Sequence, residues 1–369
     1  MKRVLIAVGL LLVAGATLAA LFEACGGSSA TTQPPVATEF AYVVNSAMGG
    51  GKPSLSTYSV GASGSLSAIS TLTTGVPASP FSLAVTPGSQ FLLLAGRGLP
   101  GSIAQYSISF SGGLTQFGSP VATGNLPYTI AVTPSGSFAI ESNNGDNTVS
   151  VYRLGAGGQL SLIGSTATGS VPSAVAVDPT GRYVFVANLE DNNISEYLLN
   201  PTTGALTVNG VVQSDLGPAS IVVSPNGPYA YAANRLTGDV SEYKLDPGSG
   251  SLTLVANLES GSGSASGAGW LAIDPGGRWL YVANSQDQSV TLFDINPNNG
   301  ALTLVGTVNT QQSGGFLASV AIDRGGHFLY AINAAGLIFE FQINPATGVL
   351  SPIGTTAAGA APWSMAFAS

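Results

Sequence analysis

Cysteine and histidine occur once each in a chain of 369 residues, and basic residues only ten times. A single cysteine, Cys25, rules out an intrachain disulfide. A single histidine, His327, leaves little scope for a Ser-His-Asp or Cys-His nucleophile, and zinc sites usually recruit several His or Cys ligands. No metal and no cofactor are therefore expected. Only 8% of residues are charged, with 18 acidic against 10 basic, a net charge of −8 and a pI near 4.4. The Lys and Arg residues are scattered, which argues against a nucleic-acid surface, because phosphate binding needs concentrated positive charge.

Other absences narrow the field further. The glycine-rich stretch Gly261 to Gly267 has no helix start and no following lysine, so it reads as a loop and not as a phosphate cradle. Asn143 to Asn147 and Glu190 to Asn193 offer the oxygens that Ca²⁺ prefers, but β-turns select the same residues, and ordinary turns are the preferred reading. No segment after the N-terminus carries a helical apolar period. What is abundant is Gly, 49 times, and Pro, 22 times, within a sequence that is 45% hydrophobic. That is a turn-rich β composition, and the length demands either two domains or one repetitive architecture.

Lys2 and Arg3 precede an apolar run from Val4 to Phe22, the layout of a secretory signal. Cys25 follows Phe22-Glu23-Ala24 and precedes Gly26-Gly27-Ser28-Ser29, which resembles a bacterial lipoprotein signal in which that cysteine is lipidated; ordinary cleavage near Ala20 is the alternative. Residues 1–25 are thus expected to be a signal peptide and 26–38, rich in Gly, Ser, Thr and Pro, a flexible tether. The expected location is exported: lipid-anchored at the cell envelope, or periplasmic or extracellular, with membrane contact only through the anchor.

From residue 39 onward one phrase recurs: Leu83-Ala84-Val85-Thr86-Pro87, Ile130 to Pro134, Val175 to Pro179, Ile221 to Pro225 and Leu271 to Pro275, with Val320-Ala321-Ile322-Asp323 a further copy. Successive prolines lie 47, 45, 46 and 50 residues apart, the mark of a repeat architecture. Each unit continues through a turn into a second strand (Tyr183 to Asn188, Tyr229 to Asn234, Trp279 to Asn284), then a third (Ile194 to Tyr197), then a turn such as Asn200-Pro201-Thr202-Thr203-Gly204 and a fourth strand. Short β-branched strands bounded by Gly, Pro and Asn predict four-stranded antiparallel meanders. Phe40 to Asn45 is a second strand with no first strand before it, and Ser364 to Phe367 a first strand with nothing after it. The two ends should therefore share one sheet, closing a seven-bladed, all-β propeller over residues 39–369.

Aligning the units places Phe81, Tyr128, Ser173, Ala219, Trp270, Phe316 and Trp363 just ahead of the seven inner strands, on one face of the ring. The five aromatics are consecutive around the circle, with Ser173 and Ala219 leaving a gap. Loops between second and third strands bring Arg97, Glu190, Asp191, Arg235 and Asp287 to the same face. Two readings follow: rings wedged between blades as packing, or an aromatic crescent with two arginines able to hold a sugar-like ligand or a partner peptide.

The string Asp178-Pro179-Thr180-Gly181-Arg182-Tyr183-Val184-Phe185-Val186-Ala187-Asn188, with Asn193 to Tyr197 and Pro201 to Leu206, resembles the seven-bladed lactonase-like propellers, which include a 6-phosphogluconolactonase, muconate-lactonising enzymes and YVTN-type surface propellers. The resemblance implies that fold. In its enzymatic members it also implies a mouth carrying histidine, arginine and glutamate, with a histidine just ahead of an inner strand. Here His327 instead follows Gly325-Gly326 at the position of Arg182 and Arg278, on the opposite rim. The expected function is accordingly an exported, monomeric binder of a small-molecule or carbohydrate ligand, or of a surface protein partner, through Trp270, Phe316, Trp363, Phe81, Tyr128, Arg97 and Asp191. The alternative is a lactonase, in which Arg235 or Arg97 polarises the carbonyl and Glu190 or Asp191 activates water.

Overall fold

The computed structural model describes residues 39–46, 51–263, 266–310 and 315–369. Cys25 and the segments expected to be a signal and a tether lie outside these residues. Seven antiparallel sheets make up the described part, and no α-helix occurs among the described residues. Blade 1 combines Pro362–Ala368, Phe40–Asn45, Ser54–Val60 and Leu66–Leu72 in that spatial order. Phe40 pairs with Ala368 and Val43 with Met365, so the chain ends share one sheet as the unpaired terminal strands require. Blades 2 to 7 open with inner strands Pro80–Val85, Pro127–Val132, Pro172–Val177, Pro218–Val223, Ala268–Ile273 and Leu317–Ile322. Each inner strand touches the inner strands of both neighbouring blades, which closes the ring.

The repeated residues have repeated jobs. Asp178, Asp274 and Asp323, which end the inner strands, accept the two backbone N–H groups that start the second strand: Arg182 and Tyr183, Arg278 and Trp279, His327 and Phe328. Thr86 and Thr133 each accept one such N–H with a hydroxyl, from Phe91 and Phe138. The glycine of each third-to-fourth turn adopts positive φ, +75° at Gly300 and +70° at Gly348. A Cβ there would strike Tyr229 or Trp279 of the preceding blade. Its carbonyl accepts a buried tyrosine hydroxyl from that blade, Tyr231 to Gly300 and Tyr281 to Gly348, both at 2.7 Å. Buried Glu196, Glu242 and Glu340 each accept the N–H that opens the next blade's outer strand, at Leu252, Leu302 and Leu66. Apolar clusters fill every junction, for instance Phe185, Ala187, Ile221 and Tyr243 between blades 4 and 5.

Blade 2 departs from the pattern. Its outer strand is split into Leu114–Gln116 and Val121–Ala122, both paired with Ser102–Ile108. The break falls at Gly118-Ser119-Pro120, where Gly118 takes φ +64° and Pro120 has no N–H to give a ladder.

Candidate functional site: the mouth of the ring

Register fixes which groups share a face. Pro172 pairs with Asn188 and Pro218 with Asn234, so the start of each inner strand lies beside the turn that follows its second strand. The seven residues opening the inner strands and the loops bearing Arg97, Glu190, Arg235 and Asp287 therefore line one mouth. The turn carrying His327 is at the other end, where His327 is exposed and its Nδ1 lies 3.6 Å from Asp323.

Four aromatics of the crescent form a continuous stack. Phe316 lies 5.5 Å from Trp363, Trp363 4.7 Å from Phe81, and Phe81 4.5 Å from Tyr128, between ring centres. Trp363 Nε1 donates to Ser46 Oγ at 2.8 Å. Phe81 is buried, while Tyr128, Trp270, Phe316 and Trp363 are half-buried. Trp270 stands apart from the stack but lines the same small cavity as Tyr128, Ala219, Arg235, Phe316 and Trp363. That cavity holds only about 20 Å³, so the rings largely fill the centre of the mouth. A second, shallow basin of about 370 Å³ adjoins it, lined by Leu189, Arg235, Leu236, Gly267 and Gln286. Arg235 belongs to both.

The charged groups divide sharply. The Arg97 guanidinium sits 4.8 Å from the Phe81 ring centre and 4.9 Å from that of Tyr128, and its buried Nε has no hydrogen-bond partner. Neither Arg97 nor Arg235 makes a side-chain hydrogen bond or ion pair among the described residues. Arg97 is half-buried on the ring faces and Arg235 is exposed, and both leave guanidinium donors free for whatever enters. The acids are mostly committed elsewhere. Asp191 accepts the Ser170 N–H at 2.9 Å, and Asp287 accepts the Ser262 N–H at 2.9 Å and its hydroxyl at 2.7 Å, each tying a loop to its neighbour. Glu190, adjoining Leu189 at the basin edge, is exposed, with its carboxylate unengaged among the described residues. Ser173 is also spent, donating to Pro218 and Ala187 carbonyls. Among the described residues no group of three or more His, Cys, Asp or Glu gathers to hold a metal.

Glu141 is a buried acid that the repeat reading passed over. It occupies the position taken by Val43, Leu94, Val186, Ala232, Val282 and Ala331 in the other blades. Its Oε2 accepts from Tyr152 at 3.3 Å, its Oε1 is unpaired, and burial pushes its carboxyl up to about 8. The alignment that exposed the crescent carries the signal, one acid against six aliphatics.

Fold and mouth together define a seven-bladed propeller whose open end presents aromatics and unpaired arginines. The family described as Lactonase, 7-bladed beta-propeller matches residues 119–212 and 207–367, and the chain belongs to that family. No curated protein sequence matches it. Among solved structures, a Bacteroides uniformis protein provisionally named a 6-phosphogluconolactonase is similar at 21% identity and TM-score 0.80, covering 90% of this chain and 100% of that one. The Pseudomonas aeruginosa periplasmic gluconolactonase is similar at 21% identity and TM-score 0.78, covering 90% and 99%.

Proposed function

We propose that the protein is a lactone hydrolase acting on sugar lactones at the mouth around Arg235. The carrying observation is Arg235 itself, an unpaired cation shared by both cavities, beside an aromatic wall suited to the flat face of a sugar ring. Its guanidinium would face the carbonyl oxygen and stabilise the negative charge that develops as water adds. Glu190, exposed and next in sequence to Leu189 of that basin, would act on that water. Family membership favours this reading over a non-catalytic binder, although the mouth lacks the histidine that the resemblance implies. We further propose export, which would put an unphosphorylated aldonolactone within reach more readily than a phosphorylated one.

The test is hydrolysis of glucono-1,5-lactone and 6-phosphogluconolactone by the purified protein, measured against the spontaneous rate. Turnover above background, lowered by Glu190→Gln, is expected. Rates indistinguishable from buffer for both lactones would contradict the proposal.

A further inference from the structure

Lactone opening needs a proton for the departing ring oxygen, and the seven residues around the mouth offer few sources. Phe81, Phe316 and Ala219 have no exchangeable side-chain proton. Trp363 gives its N–H to Ser46, and Ser173 gives its hydroxyl to main-chain carbonyls. Trp270 carries an N–H too weakly acidic to transfer. That leaves Tyr128, whose hydroxyl makes no hydrogen bond among the described residues. Its ring is held against Phe81 and beneath Arg97, and it lines the small cavity with Arg235.

We propose, on the hydrolase reading above, that Tyr128 is the proton-transferring catalytic residue of this mouth. Water oxygen bonds to the lactone carbonyl carbon as one of its protons passes to the Glu190 carboxylate, and the carbonyl π pair moves onto the oxygen facing Arg235. As that pair returns, the bond from carbon to ring oxygen breaks, and the ring oxygen takes the phenolic proton of Tyr128. The proton held by Glu190 then returns to the phenolate, restoring both groups and leaving an open hydroxy acid. Arg97 and Arg235 flank the transient phenolate and are the charged groups that act on it. Burial pushes the phenol up, and these two cations pull it partly back. The phenol is thus protonated at neutral pH and able to donate, while its anion has two counter-charges in place.

Tyr128→Phe keeps the ring and its stacking, so it isolates the hydroxyl. Its kcat is expected to fall by about 100-fold or more, the scale of general acid–base catalysis, with KM and melting temperature little changed. Wild-type kcat should fall on the alkaline side as the phenol ionises, and Tyr128→Phe should lose that limb. Replacing Tyr128 by 3-fluorotyrosine, whose phenol is more acidic, should keep activity and move the limb to lower pH. Wild-type turnover with Tyr128→Phe equally active, or a limb unmoved by fluorination, would overturn the role of Tyr128 alone. Wild-type protein without lactone turnover would overturn the hydrolase reading and this inference with it.

Discussion

Arginine meets aromatic rings at both ends of this ring of blades, with different outcomes. At the lower rim Arg278 stacks 4.3 Å from the Trp279 ring centre, donates to the Ala346 carbonyl at 3.0 Å and lies 3.8 Å from Asp294. Arg153 stacks on Phe138 and donates to the Thr202 and Thr203 carbonyls. In both, the guanidinium is a satisfied surface clamp between blades, whereas Arg182 of the same rim stacks 5.0 Å from the Tyr183 ring centre with no side-chain hydrogen bond or ion pair among the described residues. At the mouth, Arg97 has the rings and lacks the acceptors, and Arg235, exposed beside the aromatic cavity, lacks them too. The repeat supplies arginine and aromatic at either end, and what distinguishes the candidate site is an unpaired donor that also lines the cavities of the mouth, as Arg235 does.

The acids show the same contrast within the interior. Glu196, Glu242 and Glu340 are buried but accept backbone N–H groups of the neighbouring blade, so they are part of the scaffold. Glu141 has only one weak donor.

Closure carries the largest expected effect. Removing Pro362 to Ser369 strips blade 1 of its inner strand, exposes the backbone of Phe40 to Asn45 and deletes Trp363 from the mouth stack. Loss of several kcal/mol is expected, enough to abolish a cooperative melt. A truncated protein melting like the full chain would show that the shared sheet does not hold the ring.

Glu141 comes next. Its folded carboxyl is raised from the ordinary carboxylate range to about 8, so the native state holds a proton that the unfolded chain releases. Its share of stability is complete below the unfolded pKa and is lost as pH rises toward 8, by about 4 kcal/mol over that window. Denaturant titrations between pH 4 and pH 9 should show stability falling with pH, and Glu141→Leu should remove the part of that slope between about pH 6 and pH 8, above the range in which Asp239, raised to about 6, contributes. An unchanged slope in the variant would assign the effect to other groups.

Smaller still is the difference between two tryptophans of the crescent. Trp363, stacked on two rings and hydrogen-bonded to Ser46, should cost about 3–5 kcal/mol on replacement by Ala. Trp270, half-buried and outside the stack, should cost clearly less while affecting ligand response more. Equal losses of stability would make both rings mere packing.

Most of the fold was legible because its determinants are local and repeated. Strands Tyr183–Asn188, Tyr229–Asn234 and Trp279–Asn284 sit where the period and their β-branched and aromatic letters place them. The lone terminal strands, each missing its partner, pointed to closure. The break in blade 2 was less legible, since Gly118-Ser119-Pro120 differs little from other turns. At the mouth, alignment could place Arg97, Arg235 and the aromatics on one face. It could not tell that Asp191 and Asp287 would be engaged by Ser170 and Ser262, because those partners are set by how one loop folds back on the next. Nor could it tell that the stacked rings would leave only about 20 Å³ at the centre and a wider basin beside Arg235.

The contrast between the two ends is tested most directly by two substitutions measured side by side for lactone hydrolysis and thermal stability. Arg235→Ala should lower kcat/KM by about 100-fold or more with little change in melting temperature, as loss of a charge-stabilising donor does. Arg278→Ala should leave kcat/KM within about two-fold and lower the melting temperature slightly, since it removes only a surface clamp. If both variants hydrolyse the lactone like the wild type, or lose activity equally, the unpaired arginine at the mouth does not mark the site.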